Sequence, residues 1–189
     1  MKPRFVLASS LLFGLFACGD DAGGADGAAG TAGTAGTADS SGIADSSGTA
    51  EAPFDEAEVI ERGAMFATEL VKINDQPFPS EHGLADMVNV YVDAGAADLY
   101  RTLDPEAPVE VALPEGTLIV KEHLNGEGAY DGYLMMYRGP AGYSDSGDWF
   151  WARIDGSGTT QETGQVGFCI GCHTPAPSFV FGVEADNQT

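Results

Sequence analysis

Two cysteines three positions apart with a histidine directly after them, Cys169-Ile170-Gly171-Cys172-His173, constrain this chain more than any other feature. The spacing is the attachment signature of c-type haem. Two thiols add across the two vinyl groups of one haem, and the adjacent imidazole becomes an axial ligand of its iron. The fold must then enclose a flat macrocycle tied to one pentapeptide. Spacing alone leaves two other uses open, a dithiol redox pair and a zinc site completed by a ligand from elsewhere. The flanking residues lack the strand–motif–helix pattern of the first. The remaining histidines, His82 and His123, lack zinc-ribbon spacing.

The motif's place in the chain narrows the architecture. Only residues 174–189 follow it, and the last methionine, Met136, lies upstream. Small electron-carrying cytochromes have the motif near the N-terminus and take a methionine ligand from downstream. A four-helix cytochrome carries it near the C-terminus, but the segments before Cys169 are rich in glycine, β-branched and aromatic residues. They do not read as long helices.

The N-terminus reads as an export signal. Lys2 and Arg4 precede the apolar run Phe5 to Ala17, which is too short to span a bilayer. Residues 1–17 are expected to be removed as a signal peptide. Ala17-Cys18 resembles the cleavage point of a bacterial lipoprotein, with Cys18 carrying the lipid; cleavage by the ordinary signal peptidase is the alternative, because Phe16 is an unusual neighbour. Residues 18–53 are nearly all Gly, Ala, Ser, Thr and Asp, with Thr-Ala-Gly repeats and two copies of Ala-Asp-Ser-Ser-Gly. Such a segment buries too little apolar surface to offset its ordering entropy, so it is expected to be a disordered linker. The three cysteines are then assigned: Cys18 to lipid, Cys169 and Cys172 to haem. The expected location is the periplasm-facing side of a membrane in a Gram-negative bacterium, anchored through lipid only.

The net charge is −21, and loss of Lys2 and Arg4 with the leader takes it to −23. Nucleic acid is excluded as a partner. A cationic redox protein fits, because charge steers encounter.

Residues 54–189 are expected to form one domain. Asp55 to Ile73 has apolar residues at helical spacing and acids in its first turn. Beyond it, Met87–Val92, Thr117–Leu124, Tyr130–Arg138 and Asp148–Ile154 read as strands, and Ala96–Leu103 as a short helix. The expected class is α+β: an antiparallel, sheet-rich domain with an N-terminal helix and a short helix carrying the C-terminal haem motif. Both alternating sets of Trp149–Ile154 are largely apolar, so this strand should be covered on both faces. In the Thr117 strand, Leu118, Val120 and Leu124 point one way, and Thr117, Ile119, Lys121 and His123 the other.

The order Met-Val-Asn-Val-Tyr-Val-Asp (87–93), Gly-Thr-Leu-Ile-Val-Lys-Glu (116–122), Gly-Tyr-Leu-Met-Met-Tyr (132–137), Gly-Asp-Trp-Phe-Trp (147–151), the haem motif and Phe179-Val180-Phe181 resembles cytochrome P-460 and its relative cytochrome c′-beta. The resemblance covers roughly residues 55–182. It implies a β-rich, homodimeric haem domain with one covalent haem c, His173 proximal to a five-coordinate iron, and an open distal site. It also implies that Lys121 bonds covalently to a haem meso carbon, as in the hydroxylamine-oxidising branch. The cytochrome c′-beta branch lacks that bond and binds nitric oxide. Two positions depart from the enzymes' pattern: Val88 stands where an arginine can lie over the distal site, and Glu162 is the nearest acid that could serve as the distal proton acceptor.

Three functions follow. One is oxidation of hydroxylamine to nitrogen oxides, with Lys121 cross-linked and Glu162 as acid/base. Another is binding of nitric oxide in an apolar pocket. The third is plain electron transfer, with His82, His123 or a methionine as sixth ligand. For Lys121, residues alone also allow a solvent-facing side chain paired with Glu122 or Glu127.

Overall fold

The computed structural model describes residues 53–81 and 83–189. The signal peptide, the lipidated Cys18 and the linker up to residue 52, as well as His82, lie outside the described residues.

The chain opens with helix α1 (Glu56–Ala64) and a single turn, α2 (Phe66–Glu69). The carboxylate of Asp55 caps α1, accepting from Ala57 N at 2.9 Å and Glu58 N at 3.2 Å. Strands β1 (Val71–Lys72), β2 (Phe78–Pro79) and β3 (Met87–Val92) follow, then helix α3 (Ala94–Tyr100). Strands β4 (Leu118–Leu124), β5 (Tyr130–Arg138), β6 (Trp149–Asp155) and β7 (Thr160–Gly164) complete one seven-stranded antiparallel sheet. Its order is β1-β3-β4-β5-β6-β7, with β2 also paired to β3. Helix α4 (Gly167–His173) carries the haem motif, and two 3₁₀ turns, Pro177–Phe179 and Ala185–Asn187, close the chain. The class is α+β.

The helix expected over Asp55–Ile73 is shorter than its pattern. It breaks at Met65, and Leu70 is already extended at φ −102°, ψ 159°. Val71 and Lys72 instead pair with Val92 and Tyr91 at the edge of β3. Strand pairing outweighs local helical spacing there, and Val71 is β-branched. The second helix starts two residues earlier than expected, at Ala94. Strand β7 was not legible, because Thr160-Gln161-Glu162-Thr163-Gly164 has no apolar alternation and is exposed over most of its length.

The sheet is covered on both faces. On one, α1 and α2 bury Val59 and Phe66 against Leu118, Val120, Tyr133, Met135, Phe150, Ala152 and Ile154. Helix α1 approaches closely because position 63 is glycine; a Cβ there would lie 2.6 Å from Met135 Sδ. On the other face, Val90, Val92, Ile119, Met136, Trp149 and Trp151 pack with α3, with the C-terminal segment and with Cys169. The Trp strand is buried from both sides, as its composition requires.

A buried polar chain pins β3. Asn74 has no exposed surface. Its Oδ1 accepts from Val90 N at 2.8 Å, and its Nδ2 donates to Gln76 O and Asn89 Oδ1, each at 2.8 Å. Asn89 Nδ2 donates in turn to Glu122 Oε2 at 2.7 Å. Asn74→Ala takes the partner from two buried groups, Val90 N and Asn89 Oδ1, while Gln76 O keeps its bond from Asn187 Nδ2, so it should destabilise the fold by about 2–4 kcal/mol. Urea unfolding of the holoprotein reads this directly, and a loss below about 0.5 kcal/mol would contradict it.

Candidate haem site

Positions i, i+3 and i+4 of a helix share one side. On α4 that rule gathers Cys169, Cys172 and His173, so the motif's spacing is also a helical surface. Cys169 is 3 % exposed within the core, and burial pushes its thiol up to about 11. A thiol so reluctant to ionise is ill suited to disulfide exchange. Cys172 and His173 are half-buried.

The histidine is held in one tautomer. Its Nδ1 lies 2.7 Å from Phe179 O. A carbonyl oxygen can only accept, so Nδ1 carries the hydrogen and Nε2 keeps the lone pair that a metal requires. Burial lowers its pKa to about 4, so the ring is neutral at physiological pH, as ligation demands. Trp151 and Phe181 meet the ring edge-on, with centroids 4.8 Å and 5.2 Å away. The carbonyl of Phe179 is delivered by a tight turn in which Ser178 and Phe179 both take left-handed backbone, φ 56° and 60°. Trp149 Nε1 fastens that turn by donating to Ser178 O at 3.0 Å. Non-glycine residues held at such angles mark a segment that the surrounding structure over-determines.

The facing sheet presents two rows of side chains. Val92, Ile119, Met136 and Trp151 are paired in sequence across four strands and form an apolar row. Beside it runs Val90, Lys121, Leu134, Arg153 and Glu162. Lys121 lies near enough to Cys172 and His173 for charge to act between them. Burial pulls its amine down to about 8, opposed by the carboxylate of Glu81. Glu122 is committed elsewhere, to Asn89 and, at 3.3 Å, to the Tyr91 hydroxyl.

Glu162 pairs with Arg153, Oε2 to Nε at 2.9 Å, with its side chain about half exposed. The charges of both act on Cys169. Val88 is fully buried between its strand partners Phe78 and His123. Two buried ring nitrogens, Trp151 Nε1 and His123 Nε2, have no hydrogen-bond partner among the described residues. Two thiols and a tautomer-fixed neutral imidazole on one helical side, against an apolar row, fit a c-type haem.

The comparison with protein families agrees. The family model described as cytochrome P460 matches residues 74–181. The chain belongs to the cytochrome P460 family. It is a haem cytochrome, and membership implies a covalently bound haem. No curated protein matches the chain. The P460 match ends at Phe181, so it contains the motif and also the turn that orients His173. Sequence reasoning quoted Phe179 and Phe181 only as part of a resemblance. The Phe179 contact is made by a backbone carbonyl, which leaves no side-chain signal to read.

Proposed function

We propose that this P460 cytochrome oxidises hydroxylamine to nitrogen oxides at a single haem c, held by Cys169 and Cys172, ligated by His173 and cross-linked by Lys121. The observation that carries this reading is Lys121, an amine desolvated beside the motif rather than turned to solvent. When bound, the haem supplies a Lewis-acidic iron and an electron sink. His173, fixed by Phe179 O, would ligate the iron. The Lys121 nitrogen would hold the macrocycle by a third covalent bond, whose formation would remove one hydrogen from the amine and one from the haem and would need a two-electron oxidant such as a peroxide. The carboxylate of Glu162 accepts substrate protons. Electrons leave to a cationic partner drawn by the acidic surface. The protein acts as an exported homodimer anchored through lipid on Cys18.

The second reading is a nitric oxide-binding protein of the cytochrome c′-beta kind. Val88 favours it, because the resemblance puts this position where the enzymes can carry an arginine, and a buried valine there supplies no charge. Anaerobic hydroxylamine with an excess of oxidising dye separates the two. Stoichiometric dye reduction with release of a nitrogen oxide supports the oxidase. Tight nitric oxide binding without turnover would replace it with the second reading.

A further inference from the structure

The turn that follows α4 has a backbone its own residues do not favour. Ser178 and Phe179 lie at φ 56° and 60°, a region that residues with a Cβ rarely adopt. Neither is glycine, so contacts from outside must hold the turn there. The start of β6 supplies them. Trp149 Nε1 donates to Ser178 O at 3.0 Å and so fixes the peptide plane that leads into Phe179. Gly147 leaves room for the Phe179 ring, since a Cβ there would lie 2.8 Å from Phe179 Cδ2 and 3.2 Å from Trp149 Cδ1. Val111 N adds a longer bond to Ser178 Oγ, at 3.2 Å.

Trp149 is well anchored for this task. It is 1 % exposed and pairs across the sheet with Arg138, whose guanidinium lies 5.6 Å over the indole. Asp148 holds that guanidinium in turn, at 3.7 Å. The indole N–H therefore comes from a sheet strand, and the turn it holds is short and irregular. What the turn delivers is the Phe179 carbonyl, 2.7 Å from His173 Nδ1. Such a bond draws the proton partly off the ring, leaves more negative charge on Nε2 and makes the imidazole a stronger donor to a metal. Hydrogen bonding to an axial ligand is one of the levers by which a protein sets a haem's potential. The aim of the carbonyl depends on the left-handed backbone at Phe179, which the Trp149 bond supports.

We propose that Trp149 is a positioning residue for the axial ligand: its indole N–H, acting through Ser178 O and the left-handed turn, keeps Phe179 O on His173 and so holds the iron's reduction potential down. The inference needs His173 as the ligand and stands under either functional reading. Its test removes the N–H and little else. Trp149→benzothienylalanine keeps the shape of the double ring but puts sulfur in place of the N–H. In reduced holoprotein saturated with carbon monoxide, which is diamagnetic, the His173 Nδ1–H proton should move upfield. It should also exchange with solvent about five- to tenfold faster, the worth of one hydrogen bond. The reduction potential, measured without carbon monoxide, should become more positive. Trp149→Phe, which also lacks the donor, should shift all three readings in the same direction. The control is Trp151→benzothienylalanine. That ring meets His173 edge-on with centroids 4.8 Å apart, but its Nε1 has no hydrogen-bond partner among the described residues. The control should leave the proton and the potential at their wild-type values. Unchanged readings in the Trp149 analogue, even with a lowered Tm, would make Trp149 a packing residue only and overturn the proposal. Equal shifts at Trp149 and Trp151 would trace the effect to the ring rather than to its bond, and would overturn it too.

Discussion

Lys121→Ala is expected to return the ferrous Soret band to the position of an ordinary c-type haem and to lower hydroxylamine oxidation by about a hundredfold, the scale on which one catalytic group acts. The wild-type band should lie far to the red of it. The reason begins with the strand. Alternation on β4 turns Lys121 toward α4 and away from the helices on the other face. Burial then lowers the amine from 10.5 to about 8. At pH 7 that makes the nucleophilic, neutral form about 300-fold more abundant than in an unperturbed lysine. Bond formation should therefore quicken about tenfold per pH unit below 8 and level off above it. Lys121→Arg keeps the charge but not the nucleophile, so it should match the alanine variant in spectrum. Intact mass distinguishes the states, since the cross-link removes two hydrogens. An unchanged Soret band and unchanged turnover in Lys121→Ala would retire the cross-link and its role.

How much of this site was legible beforehand differs from residue to residue, for physical reasons. Met87–Val92 and Tyr130–Arg138 match their strands to the residue, because β-branched residues fill the first and aromatic and apolar residues between glycine-rich turns mark the second. The sidedness of β4 was legible for the same reason, and with it the company that Lys121 keeps. Glu162 was reached only as the nearest acid before the motif, because its strand has no apolar period. Its ion pair with Arg153 comes from register across β6 and β7, which sequence separation hides. The turn at Ser178 and Phe179 was invisible too: neither residue is glycine, and left-handed backbone at both is imposed by tertiary contacts, including the Trp149 bond. The helical run past Met65 misled, because the edge of β3 offered Val71 and Lys72 better partners. His123 was weighed as a sixth ligand or an ordinary polar residue. That its Nε2 is buried and unpartnered is a fact of packing, not of pattern.

The largest loss should come from the two thiols together. Cys169→Ala with Cys172→Ala is expected to abolish covalent haem: intact mass should fall to that of the polypeptide, and acid–acetone should extract all colour. The single variants should not be equivalent. Cys169 is fixed in the core beside Val166 and the Trp151 face, at 3 % exposure, whereas Cys172 is half-buried one helical turn on. Removing the Cys169 sulfur therefore also opens a small cavity, adding about 1 kcal/mol of instability to the lost thioether. Removing the Cys172 sulfur costs the bond with less packing. Each single variant should keep one thioether and one unreacted vinyl, read as a pyridine haemochrome band between those of b-type and c-type haem. The His173 imidazole remains in both, still oriented by Phe179 O. Haem mass retained in the double variant and lost in the triple variant with Lys121→Ala would show that Lys121 can tether the haem without the thioethers, whereas haem mass retained in the triple variant would refute attachment through these sulfurs.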